Sequence, residues 1–70
     1  MIIAYKIIFN DDAILSITRY EDFPSLIANR TFDTFYEGIP AFHTFIISND
    51  EDEAIEKFND FQGTILKKKQ

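Results

Sequence analysis

Few side chains in this sequence have the chemistry of a catalytic residue. His43 is the single histidine, and it lies between Phe42 and Thr44 in a run typical of a strand. A histidine base needs a nucleophile or a substrate proton within about 2.6–3.2 Å, and no serine stands in the sequence context of a nucleophile elbow. We therefore interpret His43 as a partly buried strand residue and predict that the protein is not an enzyme. Catalysis through His43 is the third functional hypothesis.

Metal ligands are equally sparse. The sequence has no cysteine, which excludes thiolate metal sites, disulfides and thiol catalysis. Residues 49–53 (Asn-Asp-Glu-Asp-Glu) are rich in oxygen ligands for Ca²⁺ or Mg²⁺, but they lack the ligand spacing and the glycine of an EF-hand loop. We interpret this segment as the capped, acidic start of a helix, and we predict neither a metal nor a cofactor.

Acidic residues form the most informative polar pattern. The chain has 12 acidic and 7 basic residues and a net charge of −5, and three of the basic residues are Lys67, Lys68 and Lys69. An excess of negative charge repels the phosphate backbone, so we predict no direct binding to nucleic acid. The same charge suits a protein partner with a basic surface.

The predicted partner-binding surface combines one row of a helix with the turn of a hairpin. Residues 52, 56 and 60 are acidic and recur every fourth residue, which places them in one row, where like charges cost about 0.2–0.5 kcal/mol per pair. A solvated face that keeps the protein soluble explains the row without a partner. A surface that imitates phosphates explains it as a binding site. The residues assigned to that site are Asp52, Glu56, Asp60, Asp11, Asp12 and Glu53.

Aromatic residues supply a second candidate surface. Eight Phe and three Tyr are available to build a core, yet a small sheet with one helix need not cover all of them. Surplus aromatic side chains are enriched at interfaces, and a symmetric homodimer would cover them. The residues predicted for this interface are Phe32, Phe35, Tyr36 and Phe42.

A hairpin is predicted at the start of the chain. Residues 2–9 alternate as a strand, residues 10–13 form a turn rich in Asn and Asp, and residues 14–20 return as the second strand. Because both faces of the first strand are largely apolar, we expect it to be central in the sheet or covered by a partner.

The middle of the chain admits two interpretations. Pro24 suits the first turn of a helix, and the sequence Gly38-Ile39-Pro40 suits its end, so residues 25–37 are predicted as a helix. The interior is poor in helix-forming residues, however, and an extended segment over residues 31–36 is the alternative.

The rest of the chain is predicted as strand, helix and strand. Residues 41–48 are β-branched and aromatic, residues 51–61 carry an apolar helical stripe that ends before Gly63, and residues 64–66 form a short last strand. The predicted class is α+β: a small, mainly antiparallel sheet of about four strands with one or two helices on one face, in the order ββαβαβ or βββαβ.

Length and composition bound the organisation. At 70 residues the chain holds one core, so we predict a single domain over residues 1–66 and a basic C-terminal tail over residues 67–70. No apolar run is long enough to cross a membrane, and the N-terminus lacks the basic region of a secretion signal. We therefore expect a cytoplasmic protein that does not bind membranes.

One part of the sequence resembles a known family. The opening hairpin of antitoxins of the HicB type, in which a strand, an acidic turn and a second strand lead to an Asp-x-Pro step, is similar to the stretch from Tyr5-Lys6-Ile7-Ile8-Phe9 to Glu21-Asp22-Phe23-Pro24. The start of their helix is similar to Glu53-Ala54-Ile55-Glu56. The two pieces are farther apart in this chain, and the family's glycines are missing. The resemblance implies an antitoxin-like regulator.

These patterns favour a small acidic, non-catalytic protein-binding module. Isoleucine occurs twelve times and valine not at all, a bias typical of AT-rich genomes such as those of phages and mobile elements. The preferred hypothesis is an inhibitor from such a source that blocks a nucleic-acid-handling host or defence protein through its negative surface. The alternatives are a self-assembling or small-ligand-binding module that uses the aromatic surface, and the antitoxin-like regulator.

Overall fold

Four antiparallel strands form a sheet, and one helix packs on one side of it, in a computed structural model that describes residues 1–11 and 13–67. The elements are β1 (Ile3–Phe9), β2 (Ile14–Glu21), β3 (Thr31–Tyr36), β4 (Ile39–Ile47) and α1 (Glu51–Lys67). The strand order across the sheet is β2-β1-β4-β3, and every neighbouring pair is antiparallel. The predicted α+β class with a small antiparallel sheet is confirmed.

β1 is a central strand, which explains why both of its faces are apolar. It pairs with β2 on one side and with β4 on the other. Tyr5 and Ile7 face α1 and are buried with Ile46, Ala54 and Phe58. We call this side of the sheet the helix face. The expectation of a central first strand is therefore confirmed.

The other side of the sheet, which we call the opposite face, is covered by the connection between β2 and β3. These strands lie at opposite edges, so residues 22–30 must cross the sheet. Phe23 is buried there and packs on Phe45 with ring centroids 4.7 Å apart. The backbone N–H of Asn29 donates to the Phe45 carbonyl at 2.8 Å. Ala4 completes this second core cluster.

The predicted helix over residues 25–37 is wrong. Only Ser25–Ile27 forms a single 3-10 turn, and residues 31–36 are the extended strand β3, as the alternative had it. Alternating Thr, Phe and Tyr side chains suit a strand better than a helix. Gly38 (φ 80°) and Glu37 (φ 52°) form a two-residue turn of type I′ between β3 and β4 instead of ending a helix.

The predicted strand over residues 64–66 is also wrong, because α1 continues through Lys67. A glycine inside a helix costs only about 1 kcal/mol relative to alanine, so Gly63 does not force an end. The sequence spacing of Phe58, Phe61 and Ile65 keeps the apolar period of a helix. Residues 68–70 of the predicted basic tail lie outside the described residues.

Candidate protein-binding surfaces

The outer side of α1 carries the predicted acidic row. Asp52, Glu56 and Asp60 are exposed, whereas Ala54 and Phe58, which lie between them in sequence, are fully buried against the sheet. Because a step of two residues turns a helix by about 200°, the acidic row points away from the sheet. The structure therefore brings these three predicted residues together on one solvent-facing line.

Glu53 has a defined structural contact at the start of α1. Its backbone N–H donates to Asp50 Oδ1 at 2.7 Å. Its carboxylate Oε1 lies 2.8 Å from the Ser48 hydroxyl and 3.4 Å from the backbone N of Asn49. The pKa of the Glu53 carboxyl is lowered, first by the hydrogen bond from Ser48 and then by the bond from Asn49 and the charge of Lys57. Glu53 thus caps the helix, and its part in binding a partner stays a prediction.

The nearest lysine of the helix is directed toward this cap. Lys57 Nζ donates to the Ile47 carbonyl at 3.0 Å and lies 3.4 Å from Glu53 Oε1. Its positive charge is therefore used at the start of α1 rather than placed among the carboxylates of the acidic row.

The hairpin turn follows the end of β1, which packs on α1. Phe9, the last residue of β1, lies edge-on against Phe58 with ring centroids 4.8 Å apart. Asn10 closes the turn, because its backbone N–H and its Oδ1 both bond to Ala13 at 3.0 and 2.9 Å. Asp11 is exposed in this turn. Asp12, the other predicted contact of the turn, lies outside the described residues.

The four predicted interface aromatics all lie in the β3–β4 hairpin, but on two faces. Phe35 and Phe42 are on the helix face, where they line a groove of about 420 Å³ together with Asp33 and Pro40. Phe35 is 71% exposed. Phe32 and Tyr36 are on the opposite face. Ile39, whose exposure of 61% the sequence reasoning missed, lies opposite Tyr36.

His43 belongs to an aromatic row on the opposite face. Its ring stacks on Phe32 at 5.3 Å and meets Phe45 edge-on at 5.5 Å. Burial, and then the charge of Lys6, lower the pKa of His43. His43 Nδ1 is buried and has no hydrogen-bond partner in the described part of the chain, and the same holds for the Thr44 hydroxyl on the helix face.

Metal and membrane sites can be assessed for residues 1–11 and 13–67. Within them, no three His, Asp or Glu side chains are grouped closely enough to hold a metal ion. Nor is any helix of this described part long and apolar enough to cross a membrane. The oxygen-rich segment at residues 49–53 is used in the cap of α1, as the bonds of Asp50 and Glu53 show.

The outer backbone edge of β3 is the feature that sequence reasoning missed. The sequence Tyr36-Glu37-Gly38-Ile39 indicates the hairpin to which this edge belongs, because a residue pair ending in glycine separates two alternating apolar runs there.

Comparison with known proteins does not narrow the choice of function, since no protein-family model, no curated protein and no solved structure matches this chain.

Proposed function

We propose that this chain is a small acidic protein-binding module that blocks a nucleic-acid-handling protein by occupying its basic groove, without catalysis of its own. The outward row of Asp52, Glu56 and Asp60 carries the proposal. Four residues of helix rise about 6 Å, and a DNA strand carries a phosphate about every 3.4 Å along its axis. The row therefore imitates about every second phosphate of one strand.

Two further observations support the proposal. Lys57 is held at the start of α1 by the Ile47 carbonyl and Glu53, so its ammonium group bonds to the helix cap. Asp11, two residues after the Phe9 that packs on Phe58, adds an exposed carboxylate. A negative field of this extent speeds association with a basic partner and weakens with added salt. The proposed partner is a host or defence protein, and the proposed source is a phage or mobile element.

A pull-down from bacterial lysate at low and high salt tests this function. We expect one nucleic-acid-handling protein to be retained at low salt and released at high salt. The double variant Glu56→Lys with Asp60→Lys should lose that protein while keeping its fold by circular dichroism. The matched control, Asp33→Lys with Glu37→Lys, makes the same charge change in the β3–β4 hairpin and should still capture it. Equal capture by the two double variants would exclude the acidic row as the binding surface.

A second candidate function, self-assembly through the aromatic hairpin, is favoured by the exposure of Phe35 and Ile39. It uses a different part of the surface from the acidic row. Its structural basis is the outer edge of β3, which has no neighbouring strand in the described part of the chain.

A further inference from the structure

β3 has an outer edge with no neighbouring strand in the described part of the chain. Two hydrogen bonds show which backbone groups point to that edge. The N–H of Ser48 donates to the Ile3 carbonyl of β1 at 3.1 Å, whereas the carbonyl of Phe45 accepts from Asn29 at 2.8 Å on the side of β3. Even-numbered residues of β4 therefore bond to β1, and odd-numbered ones bond to β3.

The register of β3 then fixes its outward groups. The odd-numbered residues His43, Ala41 and Ile39 of β4 lie opposite the even-numbered residues of β3. The backbone N–H and C=O groups of the even-numbered residues of β3 therefore form hydrogen bonds with β4. The N–H and C=O groups that point outward belong to Thr31, Asp33 and Phe35.

The two edges of the sheet differ in their protection. β2 ends in polar residues, and its Arg19 and Glu21 form an ion pair of 3.2 Å, a composition that discourages pairing with another strand. β3 carries large apolar side chains near its free backbone, and Phe35 is 71% exposed while Phe32 is 38% exposed. An edge of this kind favours the addition of a strand.

We propose that the strand added to this edge is β3 of a second copy of the chain, antiparallel to the first and related to it by a two-fold axis at Thr34. In an antiparallel pair of identical strands the axis is perpendicular to the sheet, so the central residue lies opposite its own copy. The midpoint of β3 lies between Asp33 and Thr34. A two-fold axis at either of these residues therefore lets nearly all of one β3 strand pair with the other.

Charge selects between the two centres. A centre at Asp33 places two carboxylates directly opposite each other, which is destabilising. A centre at Thr34 places Asp33 opposite Phe35 of the second copy. Both residues have outward backbone groups, so each such pair exchanges two hydrogen bonds. Symmetry repeats that pair on the other side of the axis.

Side chains are complementary in the Thr34-centred arrangement. Phe32 comes opposite Tyr36 of the second copy, which extends the aromatic row of Phe45 and His43 across the interface. At both ends of the paired strands Thr31 comes opposite Glu37 of the second copy, and both residues are exposed in the single chain. Polar residues thus meet at the ends, while aromatic rings meet between them.

The expected dimer is weak and concentration-dependent. One pair of six-residue strands gives an interface at the low end of the size range, below about 1,200 Å². The dimer joins two four-stranded sheets into one of eight strands. The acidic row of α1 takes no part in it, so failure of this inference leaves the proposed inhibitor function untouched, and the reverse also holds.

Single-cysteine variants of the full chain test the arrangement directly, because the sequence has no cysteine of its own. At the two-fold axis, Thr34→Cys faces its own copy in a non-hydrogen-bonded pair, where the Cα atoms are about 4.5 Å apart and a disulfide can form. Thr31→Cys is its matched control, because two copies of residue 31 are offset by six positions and this variant keeps the Asp33 carboxylate that selects the register. Under mild oxidation we expect a covalent dimer of Thr34→Cys and none of Thr31→Cys.

A charge exchange provides the second measurement. By sedimentation equilibrium, Phe35→Asp should raise the dimer dissociation constant about 2- to 30-fold, since it places two carboxylates opposite each other at both Asp33–Phe35 pairs of the dimer. Adding Asp33→Lys to that variant should restore the affinity, because opposite charges then meet at both pairs. A dimer by sedimentation whose Thr34→Cys variant does not cross-link would overturn the Thr34-centred arrangement. A monomer at the highest soluble concentration, with neither variant cross-linked, would overturn the dimer.

Discussion

Replacing Phe58 by alanine is expected to remove most of the stability of this protein. Phe58 is the largest fully buried side chain, and it connects α1 to the sheet through Phe9 at 4.8 Å and through the cluster around Ile7. Truncation of a core phenylalanine costs about 3–5 kcal/mol, because apolar contacts are lost and a cavity stays behind.

That cost is comparable with the whole free energy of unfolding. At about 0.05–0.15 kcal/mol per residue, a chain of 70 residues is stable by about 3.5–10 kcal/mol. With a urea m-value near 1 kcal/mol per M, the midpoint of unfolding should fall by about 3 M or more. We expect Phe58→Ala to be partly unfolded even without denaturant.

Urea unfolding followed by circular dichroism is the assay, with Leu26→Ala as the control. Leu26 is 84% exposed, so its truncation should change the free energy of unfolding by less than about 0.5 kcal/mol. A loss below about 1 kcal/mol for Phe58→Ala would refute the packing of α1 on the sheet through this residue. The outward direction of the acidic row would then lose its basis.

Three further predictions concern the cap, the histidine and the hairpin turn. Hydrogen bonds lower the pKa of Glu53. The stability that its carboxylate contributes is therefore present above the ordinary carboxyl pKa and is lost as the pH falls through the lowered value. In urea titrations at several pH values, Glu53→Gln should reduce this loss of stability at acid pH. Burial lowers the pKa of His43, so stability should decline as the pH falls from the ordinary histidine pKa of about 6.5 toward the lowered one. His43→Leu should abolish that step, and an unchanged pH profile would contradict the burial of the ring. Gly38→Ala should lower the free energy of unfolding, measured by heat or urea, by about 1 kcal/mol, because alanine is strained at a φ of 80°. A Cβ at this position meets nothing within 4 Å, so no clash adds to that cost. Glu37→Asn should stabilise the same turn.

The fold was predictable where local pattern and burial agree. β1 is apolar on both faces, a pattern that predicts a strand central in the sheet or covered by a partner, and β1 is central. The start of α1 was predictable because residues 49–53 are acidic and suited to a cap, and in the structure Asp50 and Glu53 form that cap. The acidic row followed from helical periodicity alone, because an exposed face needs no information about distant contacts.

The errors arose where one residue serves two kinds of structure. Pro24 and Gly38 fit the ends of a helix, but the same residues fit a crossing loop and a type I′ turn. Gly63 fits a helix end, yet a continuing apolar period outweighed it. The division of Phe32 and Phe35 between two faces depends on the register of β3 with β4, which is set by a partner strand and not by local sequence.

The strand order has a consequence for how the protein folds. β1–β2 and β3–β4 are local hairpins, but the central pairing of β1 with β4 joins residues 33 to 43 positions apart in the chain. Closing so long a loop costs entropy before its contacts form, so we expect docking of the two hairpins to limit the folding rate. During synthesis, β1 leaves the ribosome long before β4 does. Until then the apolar side chains of β1 and its unpaired backbone edge are open to other nascent chains. A chaperone that shields this strand would raise the folding yield.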